Sequence, residues 1–235
     1  LTLGTTQYLS TDIAAIPLLW VIPLAIYLLT FVVAFARREW ISTRSLSKLL
    51  PFIVVAIGVS FLIRAREPIT MLIGLHVLLM SIGALLCHKR LAESRPDVSR
   101  LTEFYLWIAV GGVLGGIFNA LVAPMLFNDV YEYPIAIGLA CMARIVPGAP
   151  KASVTQRTLD LAAPVIVVAI AALTLPALNG AFALRGLSLE GGWLPKALPA
   201  ALPCIVCFLA VGRPLRFSLC AVGVLVYSFV SIEPN

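Results

Sequence analysis

The sequence predicts an all-α protein, a polytopic integral membrane helical bundle of about eight segments, of which about seven to eight span the bilayer. Two observations carry this prediction. Hydrophobic residues make up 61% of the 235 residues and charged residues only 12%, whereas a soluble domain has about 25% charged residues. Long apolar runs alternate with short loops that hold most of the basic residues, which is typical of membrane topology. We see no strand alternation of the kind that predicts a membrane barrel.

The apolar runs define the segments, since a spanning helix needs about 17–25 mostly apolar residues. The predicted segments are residues 13–36, 49–63, 69–87, 104–127, 133–146, 161–178, 197–211 and 217–232. The fifth is the shortest, and it is read as a tilted short helix, a re-entrant segment or a full span. No soluble domain interrupts the series, so residues 1–235 are predicted to form one transmembrane domain. Because the sequence starts without a methionine, we expect it to be part of a longer protein.

The basic residues predict the orientation. If alternate loops face the same side, one side receives thirteen of the 17 lysines and arginines and the other receives four. The larger set is Arg37, Arg38, Arg44, Lys48, Lys89, Arg90, Arg95, Arg100, Arg144, Lys151, Arg157, Arg213 and Arg216, and the smaller set is Arg64, Arg66, Arg185 and Lys196. The positive-inside rule assigns the larger set to the cytoplasm and therefore the N-terminus to the outside. The net charge of +6 thus reflects topology, and the predicted partner is the lipid bilayer and not nucleic acid.

The fourth segment carries an unusual pattern, "LTEFYLWIAVGGVLGGIFNALVAP". At 100° per residue, its glycines fall on one stripe of the helix together with Asn119. The four glycines are Gly111, Gly112, Gly115 and Gly116. Small residues allow membrane helices to approach closely, so we predict that this segment is the central packing element and that Asn119 forms a hydrogen bond across the contact. A substrate passage along the same small face is the alternative.

Six polar residues in or beside the apolar runs form a predicted functional cluster. They are His76, His88, Glu103, Tyr105, Asn119 and Glu132. An ionisable residue within a membrane span is a functional hypothesis by default. We expect the two intramembrane residues of this set to face the bundle interior and His88, Glu103 and Tyr105 to meet at the cytoplasmic boundary. The outer Glu132 belongs to an aromatic belt or a polar gate.

Structural alternatives stand beside this cluster. The structural interpretation, which is favoured, takes His76 as a neutral histidine that is hydrogen-bonded inside the bundle and His88 as a residue that suits a helix C-terminus. The two histidines are twelve residues apart, about 18 Å along a helix, so they cannot share one metal. Cys204 and Cys207 form a C-x-x-C within an apolar run, where access to thiol partners is lacking. We find no catalytic motif, and no metal or cofactor is evident.

Three stretches carry a resemblance to a known family. They are "TTQYLSTDIAAIPLLWVIPLAIYLLTFVVAF", "LHVLLMSIGALLCHKRLAESRPD" and "LTEFYLWIAVGGVLGGIFNALVAPMLFNDVYEYPIA". In order and spacing they resemble the membrane region of bacterial spermidine synthase-like proteins, in which a transporter-like helical region is fused to an aminopropyltransferase-like domain. The resemblance covers residues 5–143. The matching positions are His76, Cys87, His88, Arg95, Pro96, Glu103, Tyr105, Gly111, Gly112, Gly115, Gly116, Asn119, Glu132, Tyr133 and Pro134.

The resemblance implies a bacterial inner-membrane protein, and the charge bias then predicts a periplasmic N-terminus. The resemblance also implies a soluble half with a Gly-rich nucleotide loop and polyamine chemistry, neither of which this sequence contains. The first functional hypothesis is therefore a membrane module that anchors or serves a soluble aminopropyltransferase-like domain. The alternatives are a small-solute transporter or channel, an accessory subunit of a larger membrane complex, and a membrane enzyme.

Overall fold

The computed structural model describes residues 1–8, 21–37, 39–148, 153–184 and 193–231. Within these ranges the chain forms helices joined by turns and has no strand, so the prediction of an all-α helical bundle is confirmed. Parts of three predictions lie outside the described residues. They are the start of the first segment (13–20), the last residue of the eighth (232), and the placement of Arg38, Lys151 and Arg185.

The described residues form ten α-helices, at least one within each predicted segment, and the fifth segment is helical only to Met142. They are α1 (Thr2–Tyr8), α2 (Val21–Phe35), α3 (Thr43–Leu62), α4 (Ile69–Glu93), α5 (Leu101–Ile117), α6 (Ala123–Leu126), α7 (Glu132–Met142), α8 (Val154–Leu184), α9 (Trp193–Leu209) and α10 (Pro214–Val230). A 3-10 turn at Val98–Arg100 precedes α5, and a π-helical turn at Phe118–Val122 connects α5 to α6. Another 3-10 turn, Ala210–Gly212, extends α9. The short α1 was not predicted.

Four stretches of the described chain are long and apolar enough to cross a membrane. They are Thr43–Leu62, Ile69–Glu93, Val98–Leu126 and Val154–Ala177. The shorter apolar helices include α7, whose 11 residues fall below the length of about 17 that a full span needs. These apolar helices indicate a protein that is embedded in a membrane.

The core of the bundle lies around α10. This helix packs against α8, α7 and α3, while α3 also packs against α4 and α9, and α4 against α2. The largest fully buried side chains come from these helices. They include Leu50, Ile57, Leu79, Leu86, Ile137, Phe217 and Leu225.

Glycine does allow helices to approach closely in this bundle, but not at the predicted positions. A Cβ added to Gly138 of α7 would lie 2.3 Å from Val222 Cγ2 and 3.3 Å from Ser218 Oγ, both on α10. The Ser218 hydroxyl also donates a hydrogen bond to the Gly138 carbonyl oxygen. A Cβ on Gly223 would meet Val168 of α8 at 3.0 Å. The close contacts therefore lie on α7 and α10.

The prediction that the fourth segment is the central packing element is wrong. None of the residues of α5 is buried, and only 6% of the best apolar window in Val98–Leu126 is buried inside the chain. A Cβ added to Gly111, Gly112, Gly115 or Gly116 would meet no atom of the described residues within 4 Å. The glycine pattern indicates that another helix could approach this face of α5 closely. It does not indicate which helix does so. Packing of these glycines against another protein stays a prediction.

Hydrogen bonds join the connections that carry most of the basic residues. Lys89 at the end of α4 contacts Glu39 in the α2–α3 connection at 3.1 Å. Arg144, after α7, donates to the carbonyl oxygens of Ser47 near the start of α3 (2.9 Å) and Val211 after α9 (3.1 Å). The α2–α3 connection, the end of α4, the residues just after α7 and those just after α9 therefore lie at one end of the bundle, which we call the basic end. The α3 helix begins there because the Ser42 hydroxyl accepts from the Ser45 amide and caps it.

The α3–α4 connection and the connection before α7 meet the end of α10 at the opposite end. Arg64 adopts a left-handed conformation (φ 52°) just after α3 and donates to the Ser231 carbonyl oxygen at the end of α10. Phe229 of α10 in turn packs on Tyr131, just before α7, with 5.8 Å between the ring centroids. This end carries α1 and the start of α7.

Candidate functional site

The intramembrane histidine forms the centre of a polar contact between α1, α4 and α7. His76 is 1% exposed, and its Nδ1 atom lies 2.6 Å from the hydroxyl oxygen of the fully buried Tyr133. Tyr8 of α1 covers both residues. Its ring centroid is 4.7 Å from that of His76 and 5.4 Å from that of Tyr133, with which it stacks at 17°. The expectation that His76 is buried in the bundle agrees with this geometry.

Aromatic rings enclose this pair on the remaining sides. Phe61 of α3 meets the His76 ring edge-on at 5.7 Å, and it also packs against Tyr8 and Phe229. A hydrogen bond in such an apolar surrounding is favoured over leaving either group unpaired. The contact therefore ties three helices together. It supports the structural interpretation of His76, and a functional role of this residue stays a prediction.

The second histidine is held by α2. His88 Nδ1 lies 3.1 Å from Thr30 Oγ1, and the single hydroxyl proton of Thr30 is donated to the Tyr27 carbonyl oxygen. The His88 Nδ1 atom must therefore carry the proton in this contact, which leaves Nε2 as the acceptor atom of the neutral ring. The rings of Tyr27 and Phe31 meet His88 edge-on at 5.0 and 5.3 Å.

The predicted boundary cluster does not form. Glu103 and Tyr105 are exposed on α5, and the contacts that enclose His88 come from α2 instead. No hydrogen bond or ion pair within the described residues joins His88 to Glu103. The prediction that these residues meet is wrong because α5 does not pack into the bundle.

Within the described residues, Asn119 does not form the predicted hydrogen bond across a helix contact. This residue is half-buried, and its side-chain amide donates to the Gly115 carbonyl oxygen of the same helix at 2.9 Å. The bond lies at the π-helical turn that begins one residue earlier. This bond uses one of the two N–H groups of the Asn119 amide.

The outer carboxylate lies in a pocket at the opposite end of the bundle. Glu132 is the first residue of α7 and is 5% exposed. It lines a pocket of about 380 Å³ together with polar residues of α1 and of the connection before α7. These polar neighbours are Gln7, Asn128 and Asp129. Glu132, one of the six predicted site residues, thus lines a pocket.

Neither metal binding nor thiol chemistry finds support in the described geometry. The described residues contain no group of three or more His, Cys, Asp or Glu side chains that could hold a metal ion. Cys204 and Cys207 are buried, are not joined by a disulfide, and face a small apolar gap beside Gly58 and Val224.

Sequence reasoning missed the part played by α1. The stretch before the first apolar run is short and polar, so its "TTQY" gave no periodic signal that predicts a helix. Two consecutive residues of this helix nevertheless contribute to the features described above. Gln7 lines the pocket, and Tyr8 covers His76. Asn128 and Asp129, which also line the pocket, lie a few residues before the predicted Glu132. Their position in a polar connection was the sequence signal that could have identified them.

A search of protein families, of curated proteins and of solved structures finds no match for the chain.

Proposed function

We propose that the protein is a multi-pass membrane module that serves a larger assembly through α5. The observation that carries the proposal is the isolation of this helix. Val98–Leu126 is as apolar as α3, with a mean hydropathy of 2.0 for both, yet 6% of its window is buried against 50% for α3. Four glycines on one face weaken a helix that contacts only lipid but suit a helix that contacts a protein.

The proposed partner is a protein segment outside the residues of this bundle. The soluble aminopropyltransferase-like domain implied by the resemblance, with its connecting segments, is one candidate. A separate membrane subunit is the other. Both would use the module as an anchor, and neither requires catalytic residues in this chain.

The proposed location is the bacterial inner membrane, with the basic end in the cytoplasm. The hydrogen bonds that join the basic connections support this orientation. Lysine and arginine in short loops are retained on the cytoplasmic side, and the described members of the larger basic set lie in or beside the joined connections.

The test compares two substitutions on α5 in the protein purified from its native membranes in a mild detergent. Gly115→Leu places a large side chain on the glycine face, whereas Val113→Leu adds one methylene on the far side of the same helix. We expect the first to remove the associated partner, seen as a decrease in particle mass by light scattering, and the second to leave the mass unchanged. An unchanged mass in both variants, or a parent particle that contains this chain as a monomer only, would exclude a separate membrane subunit as the partner. Equal melting temperatures of the parent and the two variants would exclude a fused domain that packs on the glycine face.

A further inference from the structure

The exposed side of α3 changes from basic to apolar close to the basic end of the bundle. Its exposed residues Arg44 and Lys48 are four positions apart and therefore lie on one face of the helix. The next large exposed residues are Leu49, at 47% exposure, and Phe52, at 60%. Four residues of helix span about 6 Å, so Phe52 lies one turn deeper than Lys48. We call these four residues the α3 face, and its order of charge followed by apolar surface matches an amphipathic molecule.

The apolar part of the α3 face continues onto α9. The ring of Phe52 packs against the ring of Phe208, with 5.0 Å between the ring centroids. Ile205 and Leu209, three residues before Phe208 and one residue after it, are also exposed. Two neighbouring helices therefore present apolar side chains below the basic ones, where the acyl chains of a lipid would lie.

The basic part of the α3 face has no partner among the described residues. The side chains of Arg44 and Lys48 make no ion pair or hydrogen bond there. The carboxylates that do form ion pairs at this end of the bundle bind other cations. The pairs are Glu39 with Lys89, Glu93 with Arg90, and Asp160 with Arg213 and Arg216. The two charges of the α3 face are therefore left for an anion from outside the chain.

A third positive charge adjoins the α3 face and is buried. Arg144 is 8% exposed, and its Nε donates to the carbonyl oxygen of Ser47, the residue before Lys48. The Nη1 atom of Arg144 is buried without a hydrogen-bond partner, and the guanidinium makes no ion pair with the described residues. A buried charge without a counter-ion is unfavourable. An anion held on the α3 face would reduce that cost.

We propose that the α3 face binds the headgroup of an anionic phospholipid in the leaflet at the basic end. Arg44 and Lys48 contact the phosphate, the buried Arg144 adds its positive charge from the protein side, and the acyl chains lie along Leu49 and Phe52. Basic residues beside membrane helices are a known means of holding anionic headgroups. An acidic protein segment would meet the two basic residues but would not account for the apolar half of the face. The inference requires only that the chain lies in a bilayer, and it is independent of whether α5 binds a partner.

The experiment measures lipid binding to the full chain by native mass spectrometry in a non-ionic detergent. The probes are phosphatidylglycerol, which carries a net negative charge, and phosphatidylcholine with the same acyl chains, which carries no net charge. We expect phosphatidylglycerol to bind more tightly than phosphatidylcholine. Arg44→Gln and Lys48→Gln should each weaken phosphatidylglycerol by about 5-fold, which is the contribution of one basic side chain near an anionic headgroup.

Arg100→Gln is the matched control, because Arg100 is also an exposed arginine, in the connection between α4 and α5. It should leave the affinity for phosphatidylglycerol unchanged. Equal binding of the two lipids, or an affinity that Arg44→Gln and Lys48→Gln both leave unchanged, would overturn the proposal. A loss from Arg100→Gln as large as that from Arg44→Gln would also overturn it, since the attraction would then belong to the whole basic end.

Thermal unfolding in the same detergent separates the lipid from a free phosphate ion. Phosphatidylglycerol should raise the unfolding temperature of the parent chain, and it should raise that of Lys48→Gln by less. Inorganic phosphate should have no effect beyond that of chloride at the same ionic strength, because it has no acyl chains to lie along Leu49 and Phe52. A rise with inorganic phosphate as large as that with the lipid would identify a free anion as the ligand and overturn the lipid assignment.

Discussion

The contact between α7 and α10 gives the sharpest test of the packing. Gly138→Ala would place a Cβ 2.3 Å from Val222 Cγ2, whereas nonbonded carbon atoms prefer about 3.5–4.0 Å. Val222 is β-branched and has little rotamer freedom in a helix, so α7 and α10 must separate. Such overpacking costs about 1–3 kcal/mol of unfolding free energy.

Gly115→Ala is the matched control, because nothing among the described residues lies within 4 Å of its added Cβ. Both substitutions gain the same helix propensity of about 1 kcal/mol, and this gain cancels in the comparison. Gly138→Ala should therefore be less stable than Gly115→Ala by about 1–3 kcal/mol. The assay is unfolding in mixed micelles by increasing the detergent SDS, followed by circular dichroism.

A second substitution tests the cause of the difference. In a Val222→Ala background the clash is absent, so Gly138→Ala should no longer be destabilising relative to that background. Such non-additivity is expected for residues in direct contact. If Gly138→Ala and Gly115→Ala were equally stable, or if Val222→Ala failed to relieve the cost, the packing of α7 on α10 would be refuted.

Two further substitutions test the polar contacts by the same unfolding assay. Tyr133→Phe removes the hydroxyl group 2.6 Å from His76 Nδ1, and leaving that buried atom unpaired should cost about 1–3 kcal/mol. Asp160→Asn removes the carboxylate that binds Arg213 at 3.1 Å and Arg216 at 2.9 Å. Because its side chain is only 6% exposed, breaking this partly buried network should cost about 3 kcal/mol.

Exposed residues of the same types serve as controls for these two predictions. Tyr105→Phe changes a tyrosine that is 42% exposed, and Glu39→Gln breaks an ion pair whose carboxylate side chain is 65% exposed. Each should change stability by less than about 1 kcal/mol. A loss from Tyr133→Phe or Asp160→Asn no larger than that of its control would show that the buried contact contributes nothing.

The helices were predictable because their signal is local. An apolar run of sufficient length predicts a helix whatever surrounds it, and the basic loops mark its ends. The exact ends of the helices depend on capping and on side-chain contacts, which hydropathy does not measure. The α3 helix begins at Thr43, not Leu49, because Ser42 caps it. The α4 helix continues past Cys87 to Glu93, whose carboxylate accepts a hydrogen bond from Thr43 Oγ1 of α3.

The site was only partly predictable, since contacts between helices depend on rotation and partner choice. His76 was recognised as an ionisable residue inside an apolar run, but its partner Tyr133 lies 57 residues away in sequence. The glycine stripe of α5 had the stronger motif, and yet the single glycine at position 138 makes the closer approach. A small-residue pattern shows where a helix can be approached and carries no information on which helix approaches.

Cysteine labelling from one side of the membrane tests the central claim most directly, namely that the chain crosses a bilayer with the basic end in the cytoplasm. In a background without the native cysteines, Ser45→Cys marks the basic end and Asn128→Cys marks the pocket at the opposite end. A membrane-impermeant maleimide added to intact spheroplasts should label Asn128→Cys, and it should label Ser45→Cys only after the membrane is permeabilised. Labelling of Ser45→Cys in intact spheroplasts would contradict the account.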